Sequence, residues 1–252
     1  MPELLMLQKM RRWYSSAIGQ HVLETEQVLI DEALSRLFGY ELLQIEQLTS
    51  RNLHQVSQIK HHMVLSKDTS DSSNFIHLYG RYDALPITTD SIDVVLLHHT
   101  LELTQSPGQV LREIDRILIP EGHVVICGFN PYSLLGLWQV FSKQKTHAPW
   151  CGHFHGISHV KQWLREVGFD IVEQHNYCFR PPIQQQKIMQ NLKILESTGA
   201  RWYPQCGGAY MLVAKKRVIT YTPIKPRWWP KKVIASSLSQ PTLRNYKVDN
   251  KK

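Results

Sequence analysis

The sequence comprises 252 residues, of which 42% are hydrophobic, and it carries a net charge of +8 at pH 7. This length and composition predict one domain with appendages rather than two independent folds. No run of apolar residues approaches the roughly 18 that a membrane-spanning helix requires, and no signal peptide is recognisable, so we expect a cytoplasmic protein. The four cysteines form no C-x-x-C pair, which argues against a disulfide framework and a thiolate metal site.

The positive charge is concentrated at the C-terminal end. Residues 215–252 contain eleven lysines and arginines against the single acid Asp249, whereas the preceding 214 residues carry 18 basic and 20 acidic side chains. The body of the chain therefore has no basic excess to match a phosphate backbone. We expect residues 219–252 to form a separate basic tail that contains Trp228 and Trp229. The tryptophans either pack back on the domain, or the tail binds RNA or an anionic membrane surface.

Apolar spacing predicts helices and strands in alternation. Residues 3–38 have helical spacing in two stretches, broken near Ser15, Ser16 and Gly19, and predict two helices that pack on the domain. Short apolar runs then predict strands at 40–45, 63–65, 75–79, 92–97, 123–129, 170–177 and 209–217. Two further helices are predicted, one that includes Val110 to Leu118 and stops at Pro120 and Gly122, and one over 158–169. This alternation implies a largely parallel sheet.

Two segments interrupt the alternation after the fifth and sixth strands. They span residues 130–156 and 180–208. Because ligands of open α/β sheets bind beyond the carboxyl ends of the strands, these inserts are well placed to cover a substrate.

The stretch 83–122 carries a dense set of motif residues. They are Leu85-Pro86, the S-x-D-x-V pattern Ser91, Asp93 and Val95, the step Leu101-Glu102, the L-R-E-x-x-R-x-L helix 111–118, and the turn Pro120 and Gly122. With the later L-x-x-x-G-F helix end at 164–169, this stretch resembles the class I methyltransferases of the quinone-biosynthesis-like type 11 kind. Within them, it resembles a bacterial subgroup whose glycine-rich cofactor motif is degenerate.

The resemblance implies a fold and a cofactor. It predicts a Rossmann-like class I methyltransferase sheet of seven mostly parallel strands, with helices on both faces, over residues 39–218. Residues 1–38 are then the N-terminal helices, and S-adenosylmethionine is the implied cofactor.

The loop after the first strand departs from the family. There the strand ends in an acid followed by G-x-G-x-G, whose glycines admit the cofactor. Here Gln44 stands in place of the acid, and Glu46, Leu48 and Ser50 stand at the glycine positions. Each of the three replacements is expected to direct a side chain toward the cofactor space. Gln44 and Glu46 are accordingly predicted to bind the cofactor in an unusual arrangement.

Other family positions complete the predicted cofactor site. Ser66, or Asp68 slightly later, takes the place of the acid that binds the ribose hydroxyls. Gly80, Arg81 and Tyr82 stand in the loop that faces the adenine in the family. Tyr82 either stacks on the adenine or packs within the loop.

After the fourth strand, His98 and His99 stand where the family contacts the cofactor through its backbone and approaches the substrate with a side chain. Either imidazole is a candidate base for removing a proton from the methyl acceptor. The alternative is that both histidines shape the loop, with Glu102 capping or orienting the following helix.

Two further patterns are not interpreted as sites. Asn130-Pro131-Tyr132 follows the fifth strand, whereas the N-P-P-Y motif of adenine-amino methyltransferases follows the fourth. The set Cys151, His153, His155 and His159 matches no strong zinc spacing, so no metal ligand is predicted.

Three functions are compatible with these residues. The leading prediction is an S-adenosylmethionine-dependent methyltransferase that acts on a small or medium organic substrate held under the inserts. The alternative is a cofactor-less protein of the same fold that serves as a binding or scaffold module, because every motif glycine is replaced. A nucleic-acid methyltransferase that captures RNA through the tail is a third interpretation, which the acidic-leaning body disfavours.

Overall fold

The alternating apolar runs of the chain fold into a seven-stranded β-sheet. The fold is that of a computed structural model, which describes residues 2–68, 78–133, 136, 153–179 and 207–217. Its strands are β1 (Glu41–Ile45), β2 (His61–Ser66), β3 (Leu78–Tyr79), β4 (Ile92–His98), β5 (Leu118–Phe129), β6 (Phe169–Tyr177) and β7 (Ala209–Lys216). Most of both predicted inserts and all of the predicted tail lie outside the described residues.

The strand order is β3-β2-β1-β4-β5-β7-β6. Strands β1 to β5 pair in parallel, and β7 pairs antiparallel with both β5 and β6. The order reverses between β1 and β4, so the loops that follow these two strands diverge at a topological switch point, where ligands of α/β sheets bind. The prediction of a mostly parallel, Rossmann-like sheet is confirmed.

The described helices are α1 (Pro2–Tyr14), α2 (Ala17–Ser35), α3 (Thr100–Leu103), α4 (Pro107–Ile117) and α5 (Ile157–Val167). Helix α1 packs on α2, and α4 packs on α5. Helix α4 buries Val110, Leu111, Ile114 and Ile117, the residues whose spacing predicted it.

The N-terminal region bends where the sequence predicted a break. Ser16 is the N-cap of α2, and its Oγ accepts a hydrogen bond from the backbone N–H of Gly19 at 3.2 Å. This bond satisfies one of the amides that a helix start leaves free. A Cβ atom on Gly19 would overlap the carbonyl oxygen of Trp13, so the close approach of the two helices requires glycine.

One predicted boundary is wrong. The helix before β5 ends at Ile117 rather than at Pro120 and Gly122, and Leu118 already has the extended backbone of the strand. Pairing with β4 then shifts from Ile92 opposite Leu118 to Val94 opposite His123, which leaves an irregular segment between them. Leu118 is buried in the strand just as it would be in the helix, so apolar spacing alone could not separate the two elements.

Candidate active site

The loop after β1 has a left-handed backbone conformation at the first glycine position of the family motif. Glu46 has φ 68° there, a conformation that costs a non-glycine residue free energy. Of the other two glycine positions, Leu48 is buried in the hydrophobic core and Ser50 is exposed. The expectation that all three side chains crowd the cofactor space therefore does not hold, since Leu48 packs into the core.

The carboxylate of Glu46 lies at the end of β2. It accepts hydrogen bonds from the backbone N–H of Lys67 at 2.6 Å, from Tyr82 Oη at 2.7 Å and from Ser66 Oγ at 3.1 Å. Burial raises the pKa of this carboxyl group, although the three hydrogen bonds and the Arg11 charge oppose the rise. An acid from the β1 loop thus occupies the neighbourhood of Ser66, the position at which the family carries its own acid.

Gln44 is buried and is held by the loop itself. Its Nε2 donates to the carbonyl oxygen of Glu46 at 2.9 Å and to Oε1 of Gln47 at 2.6 Å, and its Oε1 lies 3.2 Å from His54 Nδ1. The side chain therefore fixes the path of the β1 loop.

Helix α1 contacts this group of residues, which the sequence did not indicate. Arg11 Nε donates to the carbonyl oxygen of Gln47 at 2.9 Å, and its guanidinium lies 3.3 Å from Asp68 and 3.5 Å from Glu46. Lys67 also pairs with Glu3 at the start of the helix. The N-terminal helix is thereby connected to the ends of both β1 and β2.

The remaining predicted cofactor residues lie at the end of β3. A Cβ atom added to Gly80 would lie 2.9 Å from Cδ of Pro86. The side chain of Arg81 is 71% exposed and pairs with Asp83, with Nη2 to Oδ2 at 2.7 Å. Glu46, Ser66 and Tyr82 thus form one cluster, while the side chain of Arg81 lies outside it.

A second cluster lies at the carboxyl end of β4. Nε2 of His98 lies 3.0 Å from Oε2 of Glu26, and Nε2 of His99 lies 2.9 Å from Oε1 of the same residue. All three side chains are completely buried. Because an ionised carboxylate only accepts, both Nε2 atoms donate to it.

Further buried groups surround this carboxylate. The hydroxyls of Tyr14 and Tyr177 each donate to an oxygen of Glu26 at 3.0 Å. Nδ1 of His99 lies 3.3 Å from Glu102 Oε1, which also accepts the backbone N–H of Phe129 at 2.7 Å. Glu102 of α3 therefore links the residue after β4 to β5. Ser106, the N-cap residue of α4, forms no side-chain capping bond.

The two histidines differ in protonation. Burial lowers the pKa of His99, but the charges of Glu26 and Glu102 outweigh it and raise that pKa to about 9. Burial lowers the pKa of His98, and hydrogen bonding to Glu26 does not offset it. Burial opposes ionisation of Glu26, yet the neighbouring imidazoles hold its pKa below the usual range. The cluster is thus a His99 imidazolium between two carboxylates, beside a neutral His98.

The described residues contain one group able to hold a metal ion, namely Glu26 with His98 and His99. Of the cysteine and histidine set considered in the sequence, Cys151 lies outside the described residues. Nε2 of His155 lies 3.2 Å from the carbonyl oxygen of Leu101.

Glu26 is the main residue that sequence reasoning missed. It lies on the buried face of α2, four residues from both Val22 and Ile30. An acid within an apolar helical stripe is a recognisable signal, because a buried carboxylate requires partners. Its partners lie 72 and 73 residues away, however, and helical spacing carries no information on them.

Comparison with known proteins shows which domain and which fold the chain resembles. Residues 39–126 match the family described as a methyltransferase domain. The protein YafS of Escherichia coli (strain K12) is 27% identical over 75% of this chain and 73% of its own. The malonyl-[acyl-carrier protein] O-methyltransferase of Halorhodospira halophila is 29% identical over 46% of this chain and 40% of its own.

A solved structure from Thermotoga maritima, described as an S-adenosylmethionine-dependent methyltransferase and possible histamine N-methyltransferase, covers 84% of this chain. It has a TM-score of 0.58 at 16% identity and is covered over its full length. The chain therefore contains a region that matches a methyltransferase domain, and it has the fold of the class I S-adenosylmethionine-dependent methyltransferases. These findings do not favour the cofactor-less scaffold. None of the described helices is long and apolar enough to cross a membrane.

Proposed function

We propose that this protein transfers a methyl group from S-adenosylmethionine to a small or medium organic acceptor held beside the inserts 130–156 and 180–208. One observation carries the proposal. Two buried polar clusters follow the adjacent strands β1 and β4 at the switch point, and Thr100 Oγ1 donates to the carbonyl oxygen of Ile45 at 2.9 Å between them. One cluster suits the cofactor, and the other suits the acceptor.

On the cofactor side, Glu46 serves as the carboxylate that binds the ribose hydroxyls. Its position beside Ser66 supports this role, because the family acid is replaced by serine at that point. A carboxylate offers about four lone-pair sites, and Oε2 accepts one hydrogen bond from Ser66 and lies 3.5 Å from Arg11. Capacity therefore remains for a hydroxyl donor. Gln44 supports the loop that presents Glu46.

The end of β3 supplies the remaining cofactor contacts. Tyr82 is held by Glu46, and Gly80 and Arg81 offer backbone groups of the loop beside it. S-adenosylmethionine supplies an electrophilic methyl group when it is bound. The chain itself must hold cofactor and acceptor in line and remove a proton if the acceptor is protonated.

On the acceptor side, His98 is the better base of the two histidines. Both ring nitrogens of His99 face carboxylates, so this imidazolium has no site for another proton. Nδ1 of His98 has no hydrogen-bond partner among the described residues, and its Nε2 is held by Glu26. Glu26 is accordingly a positioning residue that orients His98 and stabilises its protonated form.

The first experiment is a calorimetric titration of the purified protein with S-adenosylhomocysteine, up to millimolar ligand. We expect saturable one-to-one binding that Glu46→Gln weakens about tenfold or more, since a hydrogen bond to a charged group contributes about 1.5–3 kcal/mol. Glu41→Gln is the matched control, because Glu41 lies at the other end of β1 and pairs with His61 on the surface. Unchanged or tighter binding by Glu46→Gln would exclude this role for Glu46. No binding by folded wild-type protein would exclude cofactor use.

A further inference from the structure

The Glu26, His98 and His99 cluster has the donor set of a metal site. Two imidazoles and one carboxylate bind zinc in hydrolytic enzymes and iron(II) in oxygenases. Here the three donor groups come from α2 and from the end of β4, and their ligand atoms all lie within 4.8 Å of one another. We propose that this cluster binds one divalent transition-metal cation of the zinc or iron(II) type.

The distances suit such a cation. Bonds of about 2.0–2.2 Å to nitrogen and oxygen place the donor atoms of a tetrahedral site roughly 3.3 Å apart. The two nitrogen-to-oxygen distances are 3.0 and 2.9 Å. These two distances involve different oxygens of the Glu26 carboxylate and are a few tenths of an ångström shorter than that spacing. The three ligand atoms all lie within 4.8 Å of one another, so a cation that replaced the two Nε2 protons requires shifts of the three side chains.

The charges of the cluster also favour a cation. Glu26 and Glu102 are both buried, and among the described residues neither carboxylate forms an ion pair with lysine or arginine. The other groups that bond to them are Tyr14 from α1, Tyr177 from β6 and the Phe129 amide from β5. A divalent cation balances the charge of two buried carboxylates.

The surroundings resemble those of metal ligands in other proteins. A ligating histidine usually donates its second ring nitrogen to a carboxylate, and His99 Nδ1 lies against Glu102 in this way. A ligating carboxylate is itself hydrogen-bonded, as Glu26 is by two tyrosine hydroxyls. Oε2 of Glu102 is buried with no hydrogen-bond partner among the described residues, so it can accept a hydrogen bond from a further ligand of the cation.

The proposed metal site lies in the same cluster as the proposed acceptor site. Metal binding itself does not depend on methyl transfer, but its effect on the acceptor rests on the proposed function. With a cation on both Nε2 atoms the histidines are ligands and His98 is no longer the base. The cation then lowers the pKa of a bound acceptor hydroxyl, and Oε2 of Glu102, which has no hydrogen-bond partner among the described residues, takes the released proton. A three-donor site leaves a position open, and an oxygen acceptor such as a phenol or an enol can take it. The acceptor class is then an oxygen nucleophile.

The test uses the full chain and the metal alone. Protein stripped with a chelator is titrated with Zn²⁺ by calorimetry, and with Co²⁺ while its visible absorption is recorded. We expect one equivalent to bind, with a cobalt spectrum of four- or five-coordinate geometry. His98→Ala and His99→Ala should each weaken binding at least 100-fold. His61→Ala is the matched control, because His61 pairs with Glu41 on the surface and should leave binding unchanged.

Glu102→Gln provides a second measurement that keeps all three ligands. Loss of a carboxylate behind a metal-bound histidine typically lowers metal affinity about 10–100-fold. Circular dichroism and thermal unfolding of each apo variant identify variants that do not fold. Absence of saturable binding to folded wild-type protein, or binding that persists in the folded His98→Ala/His99→Ala variant, would overturn the proposal. Neither metal titration contains cofactor or acceptor, so failure here leaves cofactor binding to be judged separately by the S-adenosylhomocysteine titration.

Discussion

Two features of Glu46 are unfavourable in free energy, namely its left-handed backbone and its buried carboxylate. Its hydrogen bonds to Ser66, Lys67 and Tyr82 join the ends of β1, β2 and β3, which offsets part of those costs. Residues held at such a cost are characteristic of functional sites. This agrees with the proposed role of Glu46 in binding the cofactor.

Glu46 should make the stability of the protein depend on pH. Its folded-state pKa is raised from 4.5 by burial. Well below pH 4.5 the group is protonated in both states. As pH rises, the unfolded chain loses this proton more readily, so the native state loses stability until the pH passes the folded pKa.

Glu46→Gln removes this titration. We therefore expect the free energy of unfolding of the variant, relative to wild type, to increase between pH 4 and pH 7. Urea unfolding at several pH values measures it, with Glu41→Gln as the reference variant. A relative stability that stays constant or falls over this range would contradict the raised pKa.

At the scale of elements, α1 contributes to both clusters, and α2 contributes to the cluster at the end of β4. Arg11 and Tyr14 of α1 reach the β1 loop and the β4 end, respectively, and Glu26 of α2 reaches both histidines. The two helices precede the part of the chain that matches the methyltransferase domain. Their mutual packing therefore matters for the site, and it depends on the turn at Ser16 and Gly19.

Gly19→Ala should destabilise the protein, because the added methyl group overlaps the backbone of Trp13. We expect a loss of about 1–3 kcal/mol, the usual cost of overpacking. Gly108→Ala in α4 is the control, because its methyl group has nothing within 4 Å and should stabilise by about 0.4–1 kcal/mol. Thermal and urea unfolding measure the stabilities of the two variants relative to the wild-type protein. Equal stability would mean that the helix pair can separate at Gly19 without cost.

At the scale of the whole molecule, charge is divided unevenly along the chain. Residues 219–252 hold eight lysines and arginines against one aspartate. Binding of this basic tail to RNA or to an anionic membrane remains a prediction, since the tail lies outside the described residues.

Deletion of residues 219–252 should weaken binding to single-stranded RNA or to phosphatidylserine vesicles. The loss should be greatest at low salt, because basic residues bind by displacing counterions. Fluorescence anisotropy and vesicle sedimentation measure the two ligands. If both affinities are unchanged and the melting temperature falls instead, the tail packs on the domain.

The sequence by itself determined the class of fold and the end of the sheet at which the site lies. Periodicity located the helices and strands, and the motif residues of 83–122 identified the methyltransferase sheet. They also placed His98 and His99 after β4. These features depend on neighbours along the chain or on local backbone preference, which a sequence pattern records directly.

Only the tertiary structure decided which side chains meet. Glu46 turns to the end of β2, Glu26 reaches His98 and His99, and Arg81 pairs with Asp83. The first two contacts join residues 20 or more positions apart, and they follow from strand order and helix packing. The spacing of apolar residues indicates which residues face the core. Which residue each of them contacts there depends on the fold. The physical reason is that a buried charge is stabilised by groups near it in space, wherever they lie in the chain.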